Sequence, residues 1–124
     1  MKVKKTYFPI VGLCAVALLG ACATSPVLTE FPAGAQALDA RAIQAALAGK
    51  SFQSGTFLVG FGADQSLSGA LGGRADSGTW RAEDGRVCTQ FRIFPSGCGE
   101  LRQASDGLYV RRMNGQVTKL EPKS

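Results

Sequence analysis

Apolar and polar positions change their period twice along this 124-residue chain. Residues 10–21 (IVGLCAVALLGA) are almost continuously apolar. A run of that length falls short of the ~20 residues a bilayer span needs and fits the core of a secretory leader. Residues 39–48 (DARAIQAALA) place Ala42, Ile43, Ala46 and Leu47 on one stripe at helical spacing. Asp39 stands at the N-cap position and Gly49 follows as a stop, so the spacing predicts a short helix. A helix of this length is marginal alone and must pack on something. Beyond Gly49 the pattern becomes strand-like. Residues 52–60 are rich in aromatic and β-branched types, and glycines punctuate 60–78 as loops or tight sheet bends. Turn signals at Asp84-Gly85, Pro95-Ser96-Gly97, Asp106-Gly107 and Asn114-Gly115 then separate runs near 78–83, 86–94, 98–104, 107–113 and 116–121. The expected fold class is α+β: one short N-terminal helix packed on a small, curved antiparallel β-meander of about five to seven strands, open or half-closed into a barrel. The chain divides into a leader (1–21), a tether (22–37) with two prolines and no period, and a globular domain (38–124).

Two hairpins give a register. A two-residue turn at Asp84-Gly85 pairs Glu83 with Arg86, Ala82 with Val87, Arg81 with Cys88 and Trp80 with Thr89. Trp80, Ala82, Val87, Thr89, Phe91 and Ile93 then share one face, while Arg81, Cys88, Gln90 and Arg92 share the other. Trp80, the one tryptophan, is a candidate core anchor, with a binding role as the alternative. A two-residue turn at Asn114-Gly115 pairs Met113 with Gln116, Arg111 with Thr118 and Tyr109 with Leu120, which leaves neither face apolar and suggests a sheet edge. Both turns suit type I′ geometry, which needs positive φ at both central residues.

The start of the chain resembles a bacterial lipoprotein leader. Lys2, Lys4 and Lys5 precede the apolar run, which ends in Leu19-Gly20-Ala21-Cys22, similar to a lipobox. The resemblance implies that Cys22 is acylated and becomes the first mature residue. It also implies a permanent anchor, because each buried CH₂ adds ~0.8 kcal/mol. Ala23, where Asp would favour the inner membrane, implies the outer membrane, facing the periplasm or displayed at the surface. A plain secretory leader cut near Ala21 or Ala23 is the alternative.

Charge follows from this division. The chain carries 14 Lys+Arg against nine Asp+Glu, a formal +5. Three of the lysines belong to the leader, so the remainder is only weakly basic and no nucleic-acid partner is expected. Histidine is absent, which excludes Ser-His-Asp and Cys-His catalysis and His-based zinc sites. Gly60-Phe61-Gly62 and the glycines of 69–74 lack the completing residues of phosphate-binding loops. Neither enzyme activity, metal nor cofactor is expected, apart from covalent lipid on Cys22. Cys88 and Cys98 flank a turn, and in an oxidising periplasm they are expected to form a disulfide. Closing that loop is worth about 3 kcal/mol by the chain-entropy estimate. Arg81 and Arg92, on the predicted outer face, are candidate anion-binding residues; the alternative is a solvated face balanced by neighbouring acids.

The globular part, with Leu47-Ala48-Gly49, Gly78-Thr79-Trp80, Cys88 and Cys98 in order, resembles small uncharacterised proteobacterial envelope domains, a likeness that brings no activity with it. More faintly, it is similar to the small-barrel metalloprotease inhibitors of the Inh type, in which a segment ahead of the barrel enters the protease; residues 23–37 would be the counterpart. The expectation is a lipid-anchored envelope protein with a non-catalytic binding or structural role and an envelope protein partner. The alternatives are a periplasmic protease inhibitor and a carrier of an anionic or apolar envelope ligand. The abundance of glycine and alanine over large apolar residues speaks against an interior cavity.

Overall fold

A computed structural model of the chain describes residues 27–123. Cys22, the lipobox and the three lysines of the leader lie outside the described residues. The elements are β1 (Gln36–Ala37), α1 (Ala40–Leu47), β2 (Lys50–Ser54), β3 (Phe57–Phe61), β4 (Ser66–Leu71), β5 (Arg74–Glu83), β6 (Arg86–Phe91), β7 (Gly97–Ala104), β8 (Gly107–Arg111) and β9 (Val117–Lys123). Strands β2 to β9 pair consecutively and antiparallel, and β9 returns to β2 through Ser51–Lys123, Phe52–Pro122 and Gln53–Glu121. The sheet is therefore a closed eight-strand barrel rather than a five- to seven-strand meander. Closure removes the free sheet edges that an open meander would expose.

Three features account for the difference. Residues 52–60 hold two strands, β2 and β3, with Gly55 turning between them at φ +66°. The glycine-rich stretch contains all of β4 and the first half of β5, in which Leu67 and Gly69 face inward and Ser66 and Ser68 face solvent. The Asn114-Gly115 hairpin pairs one residue away from the expected register: Arg111 with Val117, Val110 with Thr118 and Leu108 with Leu120. Its loop is longer than two residues. The Arg112 N–H donates to the Gln116 carbonyl, and Gly115 alone takes a positive φ. That one-residue shift puts Leu108, Val110 and Leu120 together on the inner face, because side chains alternate with period two. The Asp84-Gly85 hairpin has the expected register throughout, but only Gly85 is left-handed, so its turn is not type I′.

Helix α1 forms as its stripe predicts. The Asp39 carboxylate accepts from the Ala42 N–H at 2.8 Å, and Gly49 stops the helix at φ +78°. Ile43 and Leu47 are fully buried against β5 and β6, so the helix plugs one end of the barrel. Below it lies a core of Phe52, Phe61, Leu67, Trp80, Leu101 and Leu108. A polar latch ties this end together. The Gln44 side-chain amide donates to Gln65 Oε1 at 2.7 Å, Gln65 Nε2 donates to the Trp80 carbonyl, and the Trp80 indole N–H donates to the Gly62 carbonyl at 3.0 Å. Gln65 holds a left-handed φ of +71° to make these bonds.

From Leu28 onward, the stretch assigned to the tether lies against the barrel. Leu28 bridges Val117, and β1 pairs with β7 alongside Arg102 and Gln103. Between them Phe31 covers Tyr109, Val117 and Ala104 on the outer wall, with the Arg102 and Arg111 guanidinium groups 4.5 and 4.9 Å from its ring centre. Glu100 pairs with both arginines, at 2.7 and 2.9 Å. The flattened cations thus sit between a carboxylate and an aromatic face.

Candidate functional site: the open end of the barrel

In an antiparallel barrel alternate connections fall at the same end. The loops β2–β3, β4–β5, β6–β7 and β8–β9 therefore gather opposite the helix. Inside this end lies a cavity of about 420 Å³. Val59, Phe61, Val87 and Leu120 form its floor, and Phe57, Phe91 and Phe94 form its lip. The lip rings meet edge to face, with centroids 5.5–5.9 Å apart. Room for them comes from Gly69: a Cβ there would stand 2.7 Å from the Phe91 ring and 3.0 Å from that of Phe57. The glycines that spoke against a cavity are thus partly what admits its aromatic lining. Ser54, the one buried polar side chain among the described residues, also lines the wall, with Thr89. Arg112 and Asn114 stand at the rim.

The lip is held by one carboxylate. Asp76 Oδ2 accepts from the N–H groups of Ile93 and Phe94 at 2.6 and 2.8 Å. Desolvation pulls the Asp76 carboxyl upward, but bonds from the Phe94, Ile93, Ser77 and Arg92 amides together outweigh it, so its pKa lies below the usual value. The Ser96 hydroxyl accepts from the Phe91 N–H at 2.8 Å and closes the base of the same loop. The sequence alone does not place Asp76, because its partners are backbone amides of a loop seventeen residues away, which leave no side-chain pattern.

The sequence-derived candidates are dispersed. Cys88 and Cys98 form the expected disulfide, joining β6 to β7 on the outer wall. Trp80 is a core residue at the plugged end, packed 5.2 Å edge-on against Phe61, and does not line the cavity. Arg81 and Arg92 are not brought together. Arg81 lies toward the plugged end and pairs with Glu83 at 2.8 Å, while Arg92 is exposed in the β6–β7 loop. The guanidinium groups of Arg86 and Arg81 hold the Glu83 carboxyl below its usual range. Glu83 approaches both cysteine sulfurs, but these are committed to the disulfide and the carboxylate to its arginines, which leaves no thiolate to bind a metal. Cys22 lies outside the described residues.

Comparisons with protein-family models, with curated proteins and with solved structures return no match to this chain. Among the described residues no helix is long and apolar enough to cross a membrane.

Proposed function

We propose that this is a lipid-anchored envelope protein whose barrel binds a small apolar ligand through its open end. One observation carries the reading: an aromatic-lined cavity of about 420 Å³ at the unplugged end of a closed barrel. Small-molecule sites commonly measure ~300–1,000 Å³ and are mostly apolar with a few polar groups to orient the ligand. An eight-strand barrel is also the size that holds one such ligand. The ligand's apolar part packs on Phe57, Phe91 and Phe94, and Ser54 and Thr89 orient any polar group that enters. This role is binding rather than catalysis. The anchor follows from the lipobox resemblance at Cys22 and places the protein at the outer membrane. An inhibitor role draws less support, because residues 28–37 lie along the barrel wall rather than reaching away from it.

The test is titration of the full-length protein with a fluorescent fatty acid, beside a Thr89→Phe variant that fills the cavity. The reading expects saturable one-to-one binding, weakened about tenfold or more in the variant, which corresponds to ~1.4 kcal/mol. Equal binding by the filled variant would overturn it. In cells, Cys22→Ala is expected to move the protein out of the membrane fraction; unchanged membrane association would refute the anchor.

A further inference from the structure

The large apolar side chains left exposed among the described residues are Val27, Leu28, Leu71, Ile93 and Met113; Leu71, Ile93 and Met113 lie at the open end and Leu28 beside it. Leu71 borders the β4–β5 turn, Ile93 sits in the β6–β7 loop and Met113 in the β8–β9 loop. Leu28 is held against Val117, the first residue of β9. Among the described residues the plugged end exposes none of comparable size. Scattered apolar side chains on a surface need no explanation, but a ring of them around one opening does.

Charge follows the same axis. Arg74, Arg92 and Arg112 project from the same three connections, exposed and without a carboxylate partner among the described ion pairs. Asp76, close to the β4–β5 connection, has Oδ2 taken up by the lip amides of Ile93 and Phe94 and Oδ1 by the Ser77 amide. Asp39, Asp64, Asp84 and Asp106 lie at the plugged end. The covalent path agrees. Leu28 meets the barrel at Val117, beside the β8–β9 connection, and five residues separate it from Cys22, a reach of ~20 Å at most.

We infer that the open end is a membrane-docking face. Leu71, Ile93 and Met113 enter the interface of an anionic bilayer, Arg74, Arg92 and Arg112 meet lipid phosphates, and the cavity opens onto the membrane. Apolar tips flanked by basic residues suit such an interface: the tips leave water, and the cations gain from anionic headgroups. The rim residues carry this docking by themselves. Exchange of an acyl-chain ligand between bilayer and cavity rests additionally on the ligand-binding reading.

The experiment uses full-length protein incorporated into phosphatidylglycerol-containing vesicles, with a reporter at each end. Ile93→Trp marks the open end and Arg41→Trp, on the exposed side of α1, marks the plugged end; buried Trp80 supplies a constant background. With lipids brominated in the acyl chains, Ile93→Trp is expected to be quenched about twofold or more beyond Arg41→Trp, with its emission shifted to the blue. Adding Arg92→Glu and Arg112→Glu is expected to remove most of that difference. Equal quenching at both ends, or none at Ile93→Trp, would overturn the inference. So would a blue shift of Ile93→Trp without vesicles together with dimer sedimentation, which would make the rim a protein interface. None of these outcomes depends on whether the cavity holds a ligand, so docking and ligand binding can fail separately.

Discussion

The two ends of this barrel are built from the same strands and differ in almost every physical respect. At the plugged end, Ile43 and Leu47 seal an interior filled by Trp80, Phe61 and Leu67, and the Gln65 side chain fixes the seal by accepting from the Gln44 amide and donating to the Trp80 carbonyl. At the open end the walls surround a cavity, apolar side chains reach solvent, and one carboxylate holds the lip. The helix makes the difference: it supplies two fully buried side chains to one end and none to the other. Stability is concentrated where the barrel is filled, and binding is left to the end that is not.

The largest expected effect separates the ends directly. Trp80→Ala should cost ~3–5 kcal/mol of unfolding free energy, the range for deleting a large buried aromatic. Phe94→Ala, at the half-buried lip, should cost less than about 1.5 kcal/mol and act mainly on ligand binding. Urea unfolding of the two variants makes the comparison, and equal losses would break it. Next comes the disulfide, which closes the segment carrying the lip. Replacing Cys88 and Cys98 together by serine should cost about 3 kcal/mol on the chain-entropy estimate and lower the thermal midpoint. If binding then weakens while the Gln65 latch keeps its hydrogen-exchange protection, the mouth is the region the disulfide serves.

The smallest effect sharpens the contrast through pH. Asp76 has a lower pKa folded than unfolded, where the ordinary value is 3.8. Its contribution is therefore complete above that value and lost as pH falls through the folded pKa. Protection of the Ile93 and Phe94 amides should fall in acid below about pH 4. In Asp76→Asn it should be reduced already at neutral pH. Protection at the plugged end should stay unchanged in both cases. A parallel loss at both ends would mean that the lip is not an independent unit.

Much of the fold can be read locally. The helix, its Asp39 cap and its Gly49 stop are recorded in neighbouring residues, and so is the Glu83–Arg86 hairpin, whose two sides agree on a buried face. The second hairpin misleads because Asn114-Gly115 fits a two-residue turn, while a longer loop brings Leu108 opposite Leu120. Packing of the inner face decides between those registers, and packing is not a local signal. Glycine is ambiguous in the same way. In 60–78 it reads as loop, yet Gly69 lies inside a strand because two phenylalanine rings need its space.

The site was less legible than the fold. Phe91 and Phe94 are near neighbours, but Phe57 lies more than thirty residues earlier on β3, and the three rings meet only when β3 to β6 pair side by side and curve into the barrel. Phe31 likewise shows no period, because its partners Arg102 and Arg111 lie on two other strands. The helix and its ends, the first hairpin's register, the cysteine pair and the absence of histidine are written in single residues or near neighbours. Closure, the plugged and open ends, and the cavity between them arise only on folding. Those depend on long-range strand pairing and on the volume left after side chains from distant segments have packed, and neither quantity belongs to any one stretch of chain.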